Sequence, residues 1–171
     1  MTASETARLF LALWPDDDVR AAIAAHRDTW PWPAKAAPMR PEKLHLTLHF
    51  LGDVPRDRLP ELRDALRIPL TPFTLHLGEP ECWPHGIAVL RPLDAPPPLI
   101  ALRNALADVL RRLDLPVEAR PYRPHITLAR RAFDVPPPAP PNRIEWPVHD
   151  YVLVESEPDV HRTYTVLARY G

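Results

Sequence analysis

Apolar and polar positions follow two rhythms along this chain. Strict alternation runs through Leu44–Leu51 (LHLTLHFL) and Pro124–Ala129, and each reads as a half-buried strand, the first closed by Gly52-Asp53. The nearly unbroken apolar stretch Arg8–Trp14 (RLFLALW) reads as a buried strand that Pro15 ends. Phe73–Leu77, Glu81–Trp83, Ile87–Pro92, Val148–Glu155 and Thr163–Tyr170 are further strand candidates, set off by turn residues. Helical spacing is clearest in Leu99–Leu113 (LIALRNALADVLRRL). A second helix is expected in VRAAIAAHRDTW, where Asp16, Asp17 and Asp18 supply a cap and a negative first turn, and a third over Asp57–Arg67. Trp30–Pro38, Ala95–Pro98 and Val135–Asn142 (VPPPAPPN) read as proline-rich connectors.

That order of elements predicts an α+β fold with antiparallel pairing rather than βαβ winding. The halves are loosely alike, each with an amphipathic helix near an HxTL strand. A length of 171 residues fits a single domain over 1–171, large enough to fold without staples. With one cysteine, Cys82, no intrachain disulfide can form, and an inert buried thiol is expected. No apolar run reaches membrane-spanning length, and the N-terminal segment MTASETARLF lacks the features of a signal peptide. A cytoplasmic protein with no membrane association is expected. The net charge of −1 argues against a broad face for duplex nucleic acid but leaves room for a small basic pocket. All of the 21 basic residues except Lys35 and Lys43 are arginine, and with 25 prolines this reflects GC-rich coding as readily as a ligand.

The tetrapeptide His45-Leu46-Thr47-Leu48 returns eighty residues later as His125-Ile126-Thr127-Leu128. Strand side chains alternate faces, so each motif sets an imidazole and a hydroxyl on one face and aliphatic groups on the other. If the two polar faces converge, the groove holds two groups able to act as acid and base near neutral pH, and two hydroxyls able to hold phosphate oxygens. In-line displacement at phosphorus needs that set: a base for the attacking water and an acid for the departing alkoxide.

On these paired HxT motifs, with LHLTLHFLG, the opening RLFLAL, RPHITLAR, and LVES followed by TYTVLARY, the chain resembles the 2H phosphoesterase superfamily. Its nearest resemblance there is to the RNA 2′,3′-cyclic phosphodiesterases, also called 2′-5′ RNA ligases. The resemblance implies a bilobal fold, two pseudo-symmetric antiparallel sheets lining a central cleft with helices outside. It implies hydrolysis of RNA 2′,3′-cyclic phosphate ends to 2′-phosphomonoesters, with no cofactor and no metal. His45 would be the proton donor to the leaving 3′ oxygen and His125 the acceptor that activates water. Thr47 and Thr127 would grip the phosphate. Arg130 matches a substrate-contacting arginine, although simple alternation puts it on the face opposite His125. The expected partner is a cyclic-ended RNA, single-stranded or tRNA-like, met by a monomer.

Other readings keep the same residues. The substrate could be a small cyclic nucleotide such as an ADP-ribose cyclic phosphate, or the reaction could run toward a 2′-5′ bond. A non-catalytic RNA- or nucleotide-binding module would need the threonines and arginines but not two histidines. By alternation His49 shares the His45 face, giving H-x-T-x-H, yet no Cys, Asp or Glu nearby completes a metal set. Arg120, Arg123 and Arg131 could serve RNA backbone charge or be plain surface. Tyr122 and Phe10 could stack a base or be core. The five tryptophans read as loop and core packing.

Overall fold

The structure, a computed structural model, describes residues 5–171, so Met1–Ser4 of the N-terminal segment lie outside it. Its elements are β1 (Thr6–Leu13), α1 (Asp17–Arg27), β2 (Ala37–Pro38), β3 (Leu46–Pro55), α2 (Leu59–Ala65), β4 (Phe73–Trp83), β5 (Ile87–Pro92), α3 (Pro97–Arg112), β6 (Ile126–Arg130), β7 (Ile144–Val148), β8 (Tyr151–Ser156) and β9 (Tyr164–Tyr170). Every strand pair is antiparallel, in the order β7-β4-β5-β6-β3-β1-β8-β9, with β2 added to β6. The sheet curls into a half-barrel. The two expected lobes, β7-β4-β5-β6 and β3-β1-β8-β9, are joined through the single pair Leu46↔Ile126.

Core and cleft lie on opposite faces of this sheet. Ala7, Leu9, Leu11 and Leu13 of β1 point to the helix side, and with Leu46, Leu48, Ile126 and Leu128 they pack against Val19 and Ile23 of α1 and Leu102 and Leu106 of α3. On the other face Phe10 and Ala12 meet Val152 and Val154 of β8 in a small separate cluster. Among the described residues no helix is long and apolar enough to cross a membrane.

Helix α1 begins as its acidic run predicts: Val19 N–H donates to Asp16 Oδ1 at 2.9 Å, and Asp17 and Asp18 fill the first turn. Replacing Asp16 by alanine should cost about 1 kcal/mol, read as a lower urea midpoint with an unchanged slope.

Several boundaries differ from the alternation-based reading. Gly52-Asp53 does not close β3; the strand continues to Pro55, opposite Thr6. Leu51 is an extra residue in the ladder there, and Gly52 takes φ 73°, a conformation that suits glycine. Phe73–Leu77 and Glu81–Trp83 belong to one strand, with Gly78 the irregular residue between them. Pro80 is tolerated because β7 pairs only with Phe73–Leu77, leaving that edge of β4 without a partner further on. The strand β7 was not expected; it pairs with β4 at the sheet edge, where Pro147 is accommodated.

Candidate active site

The pair Leu46↔Ile126 brings the two motifs side by side. In antiparallel register the neighbouring positions set His45 across from Thr127, and Thr47 across from His125. A local two-fold through the Leu46–Ile126 pair therefore relates one motif to the other. Both aliphatic faces are buried, and both His-Thr faces line one cleft of about 740 Å³.

Each motif also carries a bulge at the same place. Opposite β3, the partner register steps from Ala12↔Thr47 to Leu11↔His49, so Leu48 is the extra residue. Opposite β6 it steps from Val89↔Thr127 to Ala88↔Ala129, so Leu128 is the extra residue. A one-residue insertion reverses the faces of all that follows. His49 and Ala129 are accordingly buried, while Phe50 and Arg130 turn into the cleft. This corrects two readings. Arg130 shares the cleft with His125 rather than opposing it. His49 leaves the His45 face and donates from Nε2 to the carbonyl of Arg103 on α3 at 2.8 Å, so the H-x-T-x-H set cannot close on one ion.

The imidazoles are held alike. His45 Nδ1–H donates to the Lys43 carbonyl at 2.6 Å, and His125 Nδ1–H donates to that of Arg123 at 2.8 Å. That tautomer points each Nε2 inward as the atom that gains or loses a proton. Thr47 Oγ1 lies 3.1 Å from His45 Nε2 and donates to it when the ring is neutral. Phe10 stacks on His45 at 4.9 Å between centroids, Trp14 at 5.5 Å, and Tyr164 meets it edge-on at 5.5 Å. This burial takes the His45 pKa down to about 4; the Lys43 carbonyl opposes the shift, and His125, Arg20 and Arg130 reinforce it. The His125 pKa is lowered too, first by burial, with the Arg123 carbonyl opposing and the charges of Arg123 and Arg91 adding. The His125 ring lies 4.5 Å from Trp83.

The remaining candidates scatter. Phe10 is 4% exposed, a floor for His45 rather than an open platform. Tyr122 supports β3 from beside the cleft, donating from its hydroxyl to the Thr47 carbonyl at 2.9 Å, with Arg103 over its ring. Arg120 is exposed and paired with Glu118. Arg123 covers one face of Trp83 at 4.2 Å. Arg131 is exposed, with φ 53°. The Cys82 thiol donates to the Ala132 carbonyl. Two of the tryptophans assigned to packing, Trp14 and Trp83, flank the two motif histidines. Phe50 escaped the sequence reading altogether: it is 70% exposed in the cleft. Aligning the motifs on their histidines would have found it, since Phe50 and Arg130 stand at the same offset.

Known proteins share this architecture. The family described as the 2′-5′ RNA ligase superfamily matches residues 15–158. An RNA 2′,3′-cyclic phosphodiesterase of Escherichia coli is 35% identical, over 98% of both chains. One of Thermus thermophilus is 33% identical, over 96% of this chain and 89% of its own. The crystal structure of E. coli LigT complexed with 3′-AMP superposes with a TM-score of 0.87 at 32% identity, covering 96% of this chain and 97% of the other. With both motifs inside the matched span and the fold shared along nearly its whole length, the chain belongs to the 2′-5′ RNA ligase superfamily.

Proposed function

We propose that the protein hydrolyses 2′,3′-cyclic phosphate ends of RNA to 2′-phosphomonoesters by acid–base catalysis between His45 and His125. The observation that carries this reading is the two-fold pairing of the motifs, which aims two Nε2 atoms and two threonine hydroxyls into one cleft. His125 takes a proton from water as the water oxygen bonds to phosphorus. His45 gives a proton to O3′ as the P–O3′ bond breaks, leaving a free 3′-hydroxyl and a 2′-phosphate. Thr47, Thr127 and Arg130 hold the non-bridging oxygens, where charge builds in the transition state. The relatives' names and the 3′-AMP bound by E. coli LigT support the substrate class.

In the free protein both imidazoles favour the neutral form, so the acid must gain its proton as the substrate arrives. An anionic phosphate beside Nε2 raises the pKa that burial has lowered. The same residues serve the joining reaction when a 5′-hydroxyl replaces water, giving a 2′-5′ bond. One chain supplies all five groups, so a monomer suffices, and the mechanism calls on no metal. The expected site of this work is the cytoplasm.

Phe50 offers the terminal base an open ring. Phe50→Ala should raise KM about tenfold with little change in kcat, since a base–aromatic stack is worth about 1–3 kcal/mol. The deciding assay is digestion of a short cyclic-ended RNA in excess EDTA, with 2′- and 3′-phosphate products resolved. A 2′-phosphate is expected. Product only on adding a divalent ion would overturn the metal-free mechanism, and no product in either condition would overturn the proposed activity.

A further inference from the structure

We propose that Arg8 and Arg162 form a second anion subsite, which takes the phosphodiester preceding the terminal nucleotide and makes oligonucleotide ends, rather than mononucleotides, the preferred substrate. This rests on the cyclic-phosphate reading above and extends it. The chain as a whole is nearly neutral, with 21 basic and 22 acidic residues, yet the cleft is not. Arg8, Arg40, Lys43, Arg130 and Arg162 line it, and none of its lining residues is an aspartate or glutamate.

Two of these five cations are partly satisfied within the fold. Arg40 pairs with Glu42, and Lys43 donates to the His161 carbonyl. Arg8, Arg130 and Arg162 enter no ion pair among the described residues. Asp53 stands opposite Arg8 in the ladder without forming one. A cyclic phosphate carries a single negative charge, and Arg130, close enough to influence His45, answers it. The two remaining arginines face a cleft whose lining holds no carboxylate to meet them.

Their placement suits the next phosphate of a strand. Arg8, Phe10 and Ala12 share one face of β1, Arg8 and Phe10 line the cleft, and Ala12 is the partner of Thr47. Arg8 thus begins about 14 Å of strand beyond the phosphate-gripping threonine, at about 3.4 Å per residue. Its long arm can shorten that gap. Phe50 lies opposite Phe10, between the two ends of this run. A terminal base on Phe50 would leave its 5′-phosphate pointing along the series toward Arg8.

Arg162 comes from the β8–β9 connection, and that loop is held in shape. Asp159 accepts from the backbone N–H of His161 and Thr163 and from the Thr163 hydroxyl, at 3.1, 3.0 and 2.6 Å. Lys43 ties the His161 carbonyl to the start of β3. Arg162 itself has φ 50°, a region in which a non-glycine residue stays only when its surroundings hold it there. The loop therefore presents a guanidinium to the cleft without closing it.

The test compares a nucleoside 2′,3′-cyclic phosphate with a trinucleotide carrying the same cyclic end, between 50 and 200 mM salt, for the wild type and for R8A/R162A. The wild type should favour the trinucleotide at least tenfold in kcat/KM at low salt, and its trinucleotide rate should fall with a log–log slope of roughly −0.7 per phosphate contact. R8A/R162A should lose most of that preference and flatten the slope, while turning over the mononucleotide within about twofold of wild type; this unchanged rate reports an intact fold. Equal rates on the two substrates in the wild type, or an equal loss on both in the variant, would sink the subsite. Failure of the wild type on both substrates would instead overturn the cyclic-phosphate reading beneath it.

Discussion

His125→Ala should lower kcat on a cyclic-ended RNA by roughly 10²–10⁴-fold, and His45→Ala by a similar factor, the range for losing one general acid or base. The double variant should lose much less than the product of the two factors, because the pair acts as a unit. The roles separate on a diester whose leaving phenolate needs no proton. There the His45 variant should recover most of its loss and the His125 variant none, since water still has to be deprotonated. Recovery by both would remove His125 as the base, and recovery by neither would remove His45 as the acid. His45 sits among three aromatic rings, so a melting curve should accompany its replacement.

The pH dependence should be nearly as large. In the proposed mechanism the working form carries one proton on the pair, and in the free protein both pKa values lie below the ordinary imidazole value, His45 at about 4. Above the higher of the two, the singly protonated fraction falls tenfold per pH unit. A bell-shaped kcat/KM profile should therefore peak on the acid side of 6.5 and drop on the order of 100-fold between pH 6.5 and 8.5. The sign reverses for the complex: the bound anion favours imidazolium, so the kcat profile should lie at higher pH than that of kcat/KM. Sulfate, which does not titrate in this range, should bind more tightly as pH falls. Coincident kcat and kcat/KM profiles would contradict proton uptake on binding.

The four motif residues that meet in the cleft were legible because they depend on local order alone. His45, Thr47, His125 and Thr127 need only alternation within five residues and a repeat of the pattern. The residues just beyond were not legible, since the bulges at Leu48 and Leu128 are set by partner strands β1 and β5, far away in the chain. Alternation continued through those positions sends His49 into the cleft and Arg130 out of it, the reverse of what the fold does. The tryptophans failed for a related reason. Trp14 follows the last residue of β1 and Trp83 ends β4, and nothing near them in sequence says that a histidine from another strand will lie against them.

The order of strands also carries a timetable. β1 lies between β3 and β8, and β8 is synthesised roughly 140 residues after β1, a delay of roughly seven to thirty seconds at ribosomal speed. Until then the Leu9–Ala12 edge has no partner on that side, and Tyr164 is missing from the rings around His45. The β7-β4-β5-β6 lobe, by contrast, is already complete in sequence when Val148 emerges. A nascent chain therefore has Trp83 available beside His125 well before Tyr164 can close the rings around His45.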